Sequence, residues 1–204
     1  MKHFWDERYA GTEYVYGKQP NEYLRQQLDR FAPGKILFPA EGEGRNAVFA
    51  ARQGWEVFAF DQSIEGRRKA LKLAGEQGVR IDYLTGALEE VDYGTGQFDA
   101  IGLIYAHFPP ELKAAYHQRL AGFLRPGGTV IIETFSKQHT EYQKVNPNAG
   151  GPRNTGLLDS AEELLSIYDG FEILELTETE TVLSEGPFHQ GKAHVVRFTG
   201  KKKA

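Results

Sequence analysis

The sequence predicts an α/β fold: a doubly wound, mostly parallel seven-stranded sheet that ends in an antiparallel β-hairpin. Three observations carry this expectation. Seven short runs rich in apolar, β-branched and aromatic residues occur along the chain. Helical stretches separate the first five, the pattern of parallel strands joined by crossovers on both faces of a sheet. No helical period lies between the last two, so they should pair as a hairpin.

The elements follow in order. Phe4 to Pro20 is polar and aromatic and reads as part of an N-terminal arm, residues 1–20. Asn21 to Phe31 places Tyr23, Leu24, Leu28 and Phe31 on one helical face, with Asn21 as the cap and Pro33-Gly34 as the stop. Ile36-Leu37-Phe38 is the first strand; a glycine-rich turn and a helix from Arg45 to Gln53 follow. Glu56 to Phe60 is the second strand, ended by Asp61, and Ser63 to Ala74 the next helix. Arg80 to Leu84 and Phe98 to Tyr105 are strands three and four, and Glu111 to Leu124 is a helix closed by Pro126-Gly127-Gly128. Thr129 to Phe135 is the clearest strand. Ser136 to Leu158 is polar, rich in Asn, Gly and Pro, and longer than ordinary connections. It is expected to be an acceptor-side loop, either a lid or a mobile surface connection. Asp159 and Glu162 are expected to form a capping box for the next helix. Phe171 to Leu183 and Ala193 to Thr199 close the sheet through Gly186-Pro187.

A chain of 204 residues suits a single domain, residues 1–204. Its 13 Phe and 10 Tyr supply large buried surfaces. The formal net charge of −4 gives no global field for polyanions, and Arg67-Arg68-Lys69 and Lys201-Lys202-Lys203 are expected to be solvated surface. No nucleic-acid partner is expected. The absence of cysteine excludes disulfides, thiolate metal sites and cysteine nucleophiles. No segment approaches the ~18 to 20 apolar residues of a membrane span, and the N-terminus lacks a signal peptide's apolar core. The expectation is a cytoplasmic protein away from membranes, a monomer or homodimer.

In doubly wound sheets, ligands bind at the carboxyl ends of strands where the strand order reverses. The first strand-to-helix turn reads Ala40-Glu41-Gly42-Glu43-Gly44-Arg45-Asn46-Ala47. Gly42 and Gly44 would let a ligand approach the backbone, and Asp61 could accept both hydroxyls of a ribose. The pair points to a ribose-bearing cofactor. Gly42, Gly44 and Ala47 also satisfy a dinucleotide fingerprint with an acid about 20 residues on, which keeps an NAD(P)-dependent oxidoreductase open. Charge separates the two readings. Carboxylates at Glu41 and Glu43 would repel a pyrophosphate. S-adenosylmethionine has no phosphate and offers a sulfonium and an ammonium, where opposite charges at ~4 Å are worth on the order of 1 to 4 kcal/mol. Glu43 facing solvent is the plainer alternative for that residue.

The turn, Asp61, the Phe98-Asp99-Ala100-Ile101 strand, the Leu124-Arg125-Pro126-Gly127-Gly128 turn and the closing hairpin resemble the class I S-adenosylmethionine-dependent methyltransferases. The likeness runs from Pro20 onward and implies a Rossmann-like sheet. Trp5-Asp6-Glu7-Arg8-Tyr9, Tyr16-Gly17, Pro20-Asn21-Glu22 and Ala106-His107-Phe108-Pro109-Pro110 further resemble the tellurite-resistance-type small-molecule methyltransferases. The resemblance implies that Ala40 to Gly44, with Glu41 and Gly42 between them, wrap the methionine part and that Asp61 holds the ribose. It places Gln62 beside the adenine, the Gly86-Ala87-Leu88 turn at the adenine edge, and Tyr105 to His107 toward the methyl group. Three positions depart from the pattern. Phe38 stands where the family often has an acid, Ala40 replaces the first glycine with Glu41 before the second, and Gly86 stands where many members have Asp. Adenine recognition would then rest on backbone groups at Ala87 and Leu88.

Methyl transfer to a small-molecule acceptor needs alignment more than a catalytic triad, and none is present. The six His are scattered and none pairs at ligand spacing, so no metal is expected. His107 is the candidate acid-base or acceptor-orienting group; the alternative is a backbone hydrogen bond that fixes its loop. Tyr9, Tyr14 and Tyr16 are candidates to cover the cofactor, Tyr16 foremost, through cation–π attraction to the sulfonium. A thiol, a chalcogen oxyanion or a small acid would suit as acceptor. A non-catalytic S-adenosylmethionine-binding protein is the further alternative, raised by the three departures.

Overall fold

In the computed structural model, which describes residues 2–203, the strands are β1 (Lys35–Pro39), β2 (Glu56–Asp61), β3 (Asp82–Thr85), β4 (Phe98–Ile104), β5 (Leu124–Phe135), β6 (Phe171–Ser184) and β7 (Gln190–Lys202). They form one seven-stranded sheet in the order β3-β2-β1-β4-β5-β7-β6. The first five run parallel, and β7 lies antiparallel between β5 and β6. The expected doubly wound sheet with a closing hairpin is therefore present. Strand order reverses between β1 and β4, so the crevice expected to take a ligand lies at their carboxyl ends.

Among the described residues, seven α-helices accompany the sheet: α1 (Lys2–Tyr9), α2 (Glu22–Leu28), α3 (Arg45–Arg52), α4 (Ile64–Glu76), α5 (Lys113–Phe123), α6 (His139–Val145) and α7 (Ala161–Ile167). Alternation along the strands divides the core into two layers. Ile36 and Phe38 of β1 pack with Leu24, Ala47, Ala50 and Ala70 of α2, α3 and α4. Leu37 faces the other way, toward Leu120 and Phe123 of α5 and Leu164 of α7. Phe38, which replaces the acid expected from the resemblance, is fully buried. Its ring occupies the space a Cβ on Gly102 of the neighbouring strand would need, 2.5 Å from Cε1. A bulky residue on β1 is accommodated by a missing side chain on β4.

Capping follows the sequence chemistry at two helices. Asn21 Oδ1 accepts Leu24 N–H at the start of α2, and Ser63 Oγ accepts Gly66 N–H at the start of α4. The capping box of α7 sits one residue later than expected, at Ser160 and Glu163. Asp159 instead turns inward, accepting the Thr134 hydroxyl at 2.7 Å and pairing with Lys113 at 2.8 Å. The Pro126-Gly127-Gly128 turn is drawn into β5, whose pairing with β4 shifts register there.

Residues 136–158 contain α6 and two 3-10 turns, with His139, Ala149 and Leu158 completely buried. Gln143 Nε2 gathers the carbonyls of Gly150, Gly151 and Pro152 at 2.6, 3.1 and 3.3 Å, which supplies the tertiary hydrogen bonds a polar segment needs to be fixed. Lys69 is not solvated surface: it is buried on α4 and pairs with Glu43 at 2.5 Å, while Glu43 also accepts Val15 N–H at 2.8 Å. Arg67 donates to the Tyr83 carbonyl, and Lys202 to the carbonyls of Ala121 and Leu124.

The Lys69–Glu43 pair joins the glycine-rich turn, α4 and the N-terminal arm. Lys69→Met should therefore destabilise the fold by about 3–5 kcal/mol in denaturant titration, since it leaves a buried carboxylate without its counter-charge. Adding Glu43→Gln should recover most of that loss. A Lys69→Met variant as stable as the parent would show that the pair contributes nothing.

Candidate cofactor and acceptor site

The carboxyl end of β1 bends at Ala40, whose φ of 51° lies in the left-handed region. This alanine occupies the first-glycine position of the turn and keeps the conformation glycine would adopt, at a cost of about 1–3 kcal/mol. Tyr105, just past β4, has φ 53°. Among the described non-glycine residues, only these two have positive φ. They stand at the ends of the two strands that flank the reversal of strand order.

Gly42 is held from three sides. Its N–H donates to Asp61 Oδ2 at 3.0 Å, its carbonyl accepts the Tyr83 hydroxyl at 2.7 Å, and the Tyr9 hydroxyl lies 2.6 Å from where a Cβ would project. A Cβ on Gly44 would meet Ala70 Cα at 2.8 Å, so α3 and α4 approach there backbone to backbone. Glu41 Oε1 accepts the N–H groups of Asn46 and Ala47 at 3.0 and 2.7 Å, capping α3 in place of the missing side chain at Gly44. Asp61 Oδ1 accepts Ser63 N–H at 2.8 Å.

The turn is thus lined by acid. Burial pushes Glu41 up to about 7, against the lowering effect of the Ala47 N–H. Burial likewise pushes Asp61 up to about 6, against the Ser63 and Gly42 N–H groups. Glu43 faces neither solvent nor ligand, because Lys69 neutralises it. The expected acidity therefore rests on Glu41 and Asp61. This fits a cationic, phosphate-free nucleoside and opposes a pyrophosphate. S-Adenosylmethionine fits these residues: Ala40 to Gly44 would hold its methionine part and Asp61 its ribose.

The other expected contacts fall into two groups. Gln62 follows Asp61 and stays half-buried, and Leu88 packs into the core under the same crevice. The Ala87 N–H is already donated to Glu90 Oε2 at 2.8 Å, so its use toward adenine requires Glu90 to turn away. Of the three tyrosines in the arm, Tyr9 lies on the glycine turn, with Asp6 of the same helix accepting the Ser63 hydroxyl at 2.6 Å. Tyr14 packs on Val48 and Leu73. Tyr16 lies instead against His189 at the tip of the β6–β7 hairpin, ring centroids 4.5 Å apart.

Beside the turn lies a second cluster that the sequence reading missed. Glu133, the one charged residue in the apolar Thr129–Phe135 run, accepts from Asn21 at 2.6 Å, the Tyr105 hydroxyl at 2.8 Å and Arg197 at 2.6 Å. Asn21 also donates to Glu185 at 3.0 Å, which pairs with Arg45 at 2.9 Å and accepts His189 Nδ1–H at 3.1 Å. Burial would raise the Glu185 carboxyl, but Arg45 and His189 outweigh it and bring it down to about 2. The signal was present in Glu133, a charge in a strand otherwise fit for the core.

His107 follows β4 as expected. Its Nδ1 lies 3.2 Å from the Leu157 carbonyl, so Nδ1 carries the proton and Nε2 is an acceptor. Burial lowers it to about 4, which leaves it neutral at pH 7. The backbone hydrogen bond and the free Nε2 coexist in one ring. The scattered histidines also converge: His107, His139 and His189 all contact Phe135, with ring centroids 5.9, 4.2 and 5.3 Å away. Among the described residues, no group of three His, Cys, Asp or Glu could hold a metal ion, and no helix is long and apolar enough to cross a membrane.

Residues 36–128 match the family model described as a methyltransferase domain. A ubiquinone biosynthesis O-methyltransferase from Erwinia tasmaniensis is 28% identical over 118 residues, 57% of this chain and 48% of that protein. The chain spans about half the length of the curated relatives it matches. Among solved structures, one described as the conversion of a disulfide bond into a thioacetal group during echinomycin biosynthesis has a TM-score of 0.77 at 19% identity. It covers 100% of this chain and 92% of that one. TehB from Haemophilus influenzae has a TM-score of 0.72 at 15% identity, over 99% of this chain and 67% of its own. The sheet, the acidic glycine turn at its point of reversal and the domain match over residues 36–128 make the chain similar to the class I S-adenosylmethionine-dependent methyltransferases.

Proposed function

We propose that the protein transfers the methyl group of S-adenosylmethionine to a small-molecule acceptor, a thiol, a chalcogen oxyanion or a small acid by the sequence reading. The observation that carries this is the pair of poorly solvated carboxylates, Glu41 in the turn between β1 and α3 and Asp61 beside it at the end of β2. When bound, the cofactor supplies an already activated methyl group. The chain's own residues then have to bind, align and exclude water. Ala40 to Gly44 and Asp61 hold the nucleoside and methionine ends, and Tyr9 covers the turn from the arm. Tyr105 and His107, at the end of β4, and Tyr16 face the acceptor. His107 Nε2 takes a hydrogen bond or a proton from the acceptor, the Leu157 carbonyl fixing the tautomer that leaves this nitrogen free.

The charge at Glu41 gives this reading a pH signature. A cation beside Glu41 favours its ionised form, so binding releases a proton near the group's titration. Affinity for S-adenosylmethionine should rise between about pH 6 and 8, and affinity for the uncharged-sulfur product should rise less. Glu41→Gln keeps the cap on α3 and should flatten the difference. Isothermal titration in buffers of different ionisation enthalpy reads both effects.

The same group destabilises the ligand-free fold. Its folded pKa lies above the unfolded carboxylate value, so the folded state binds more protons between about pH 4.5 and 7, and its contribution to stability falls as pH rises through that window. Glu41→Gln should therefore gain stability over the parent as pH goes from 5 to 7.5, on the order of 2 kcal/mol in denaturant titration. Equal pH profiles for the two proteins would remove the buried charge from the account.

Asp61→Ala should weaken cofactor binding by at least ~1 to 2 kcal/mol, because it removes charge-assisted hydrogen bonds. Unchanged affinity would place the ribose elsewhere.

A further inference from the structure

The compartment beyond the cofactor turn is built around Phe135 at the end of β5. Tyr105 stacks on it at 4.6 Å between centroids and His139 at 4.2 Å, while His189 meets its face edge-on. Tyr16, Tyr105 and His107 lie deep among protein atoms yet keep solvent-accessible surface, as the walls of a crevice do. These walls are aromatic.

Three cations around the compartment are closed on carboxylates. Arg45 is engaged by Glu185, Arg197 by Glu133 and Lys113 by Asp159, at 2.9, 2.6 and 2.8 Å. Glu133 and Glu185 in turn accept from Asn21, Tyr105 and His189. An anion binding at any of these three cations would have to break a buried pair, and a cation entering among them would have to displace one. The histidines do not supply the missing charge. His139 donates from Nε2 to the Gly150 carbonyl and accepts His194 N–H at Nδ1, so its ring is committed as a neutral bridge. Burial lowers His107, His139 and His189 alike, which keeps them uncharged at neutral pH. Arg8 on α1 is a cation outside these three pairs: it hydrogen-bonds Tyr16 and lies over the rings of Phe4 and Phe188.

We propose that the methyl acceptor is uncharged where it binds and presents an aromatic ring to Tyr105 and Tyr16, with a hydroxyl or thiol turned toward His107 Nε2. This rests on the methyltransferase reading above and narrows it, setting aside the oxyanion and the small acid. An aromatic ring gains from stacked and edge-on contacts with such walls, by offset geometry that a tetrahedral or pyramidal oxyanion cannot use. A hydroxyl or thiol proton also supplies the donor that a neutral imidazole Nε2 needs, whereas a carboxylate oxygen would meet it lone pair to lone pair.

The test presents the protein and isotopically labelled S-adenosylmethionine with catechol and benzyl mercaptan, against benzoate, selenite and tellurite. Binding of the demethylated cofactor product is measured separately by calorimetry. The expected result is kcat/KM for the uncharged ring acceptors at least about 100-fold above the anions. Comparable turnover of benzoate or of an oxyanion overturns the proposal; loss of that turnover in Arg8→Gln would identify the cation holding it. Should no member be turned over, saturation-transfer NMR with the product bound decides. Catechol or benzyl mercaptan binding in competition with each other, unaffected by excess benzoate or selenite, supports it. Binding of the anions, or of no ring compound at all, overturns it. A protein that fails to bind the product in calorimetry fails the methyltransferase reading itself, a separate outcome.

Discussion

The bend at the end of β1 holds the molecule together at the place where it is to work. Three successive residues each fasten a different element to it. Glu41 caps α3, Gly42 is clamped by Asp61 of β2 and Tyr83 of β3, and Glu43 is locked to Lys69 of α4 and to the backbone of the arm at Val15. None of these contacts survives a shift of the bend by an ångström, because hydrogen bonds weaken steeply with geometry. The strained backbone at Ala40 is sustained by this convergence.

The arrangement carries a cost in charge. Two carboxylates sit in poorly solvated positions with N–H groups as partners, Arg45 offsetting the burial of Glu41 only in part, and their raised pKa values express that. Such a site is destabilising while empty of positive charge and becomes favourable when a cation arrives. The neighbouring cluster of Glu133, Asn21, Glu185, Arg45 and Arg197 follows the opposite design. It closes its charges on one another. One crevice thus has an acidic wall and an aromatic wall.

The roof over this crevice comes from the two ends of the chain. The hairpin tip packs so closely on the arm that a Cβ on Gly186 would meet both Gly17 N and Val15 O at 2.5 Å. Tyr16 and His189 meet beneath that contact. Residues 136–158 complete the enclosure through Gly150, whose own Cβ would collide with the carbonyl of Phe188 at 2.6 Å. The expected loop is therefore a fitted piece, its polar residues turned to backbone carbonyls that would otherwise be stranded.

Strand and helix placement was legible in the sequence because apolar period and local caps act over a few residues, and the glycine turn with Asp61 was legible because backbone approach demands glycine at fixed positions. Boundaries shifted by a residue where a side chain had two uses, as Asp159 did when the buried Lys113 outbid the helix end. The fate of single charges was not legible. Lys69 within a basic triplet, Glu43 within an acidic turn and Glu133 within a strand are each explained by a partner 26 to 112 positions away. Pairing across such distances is set by which strands become neighbours, a property of the folded sheet that no local pattern encodes. The same holds for the histidines, scattered along the chain and gathered around one phenylalanine only after β4, β5 and the hairpin meet.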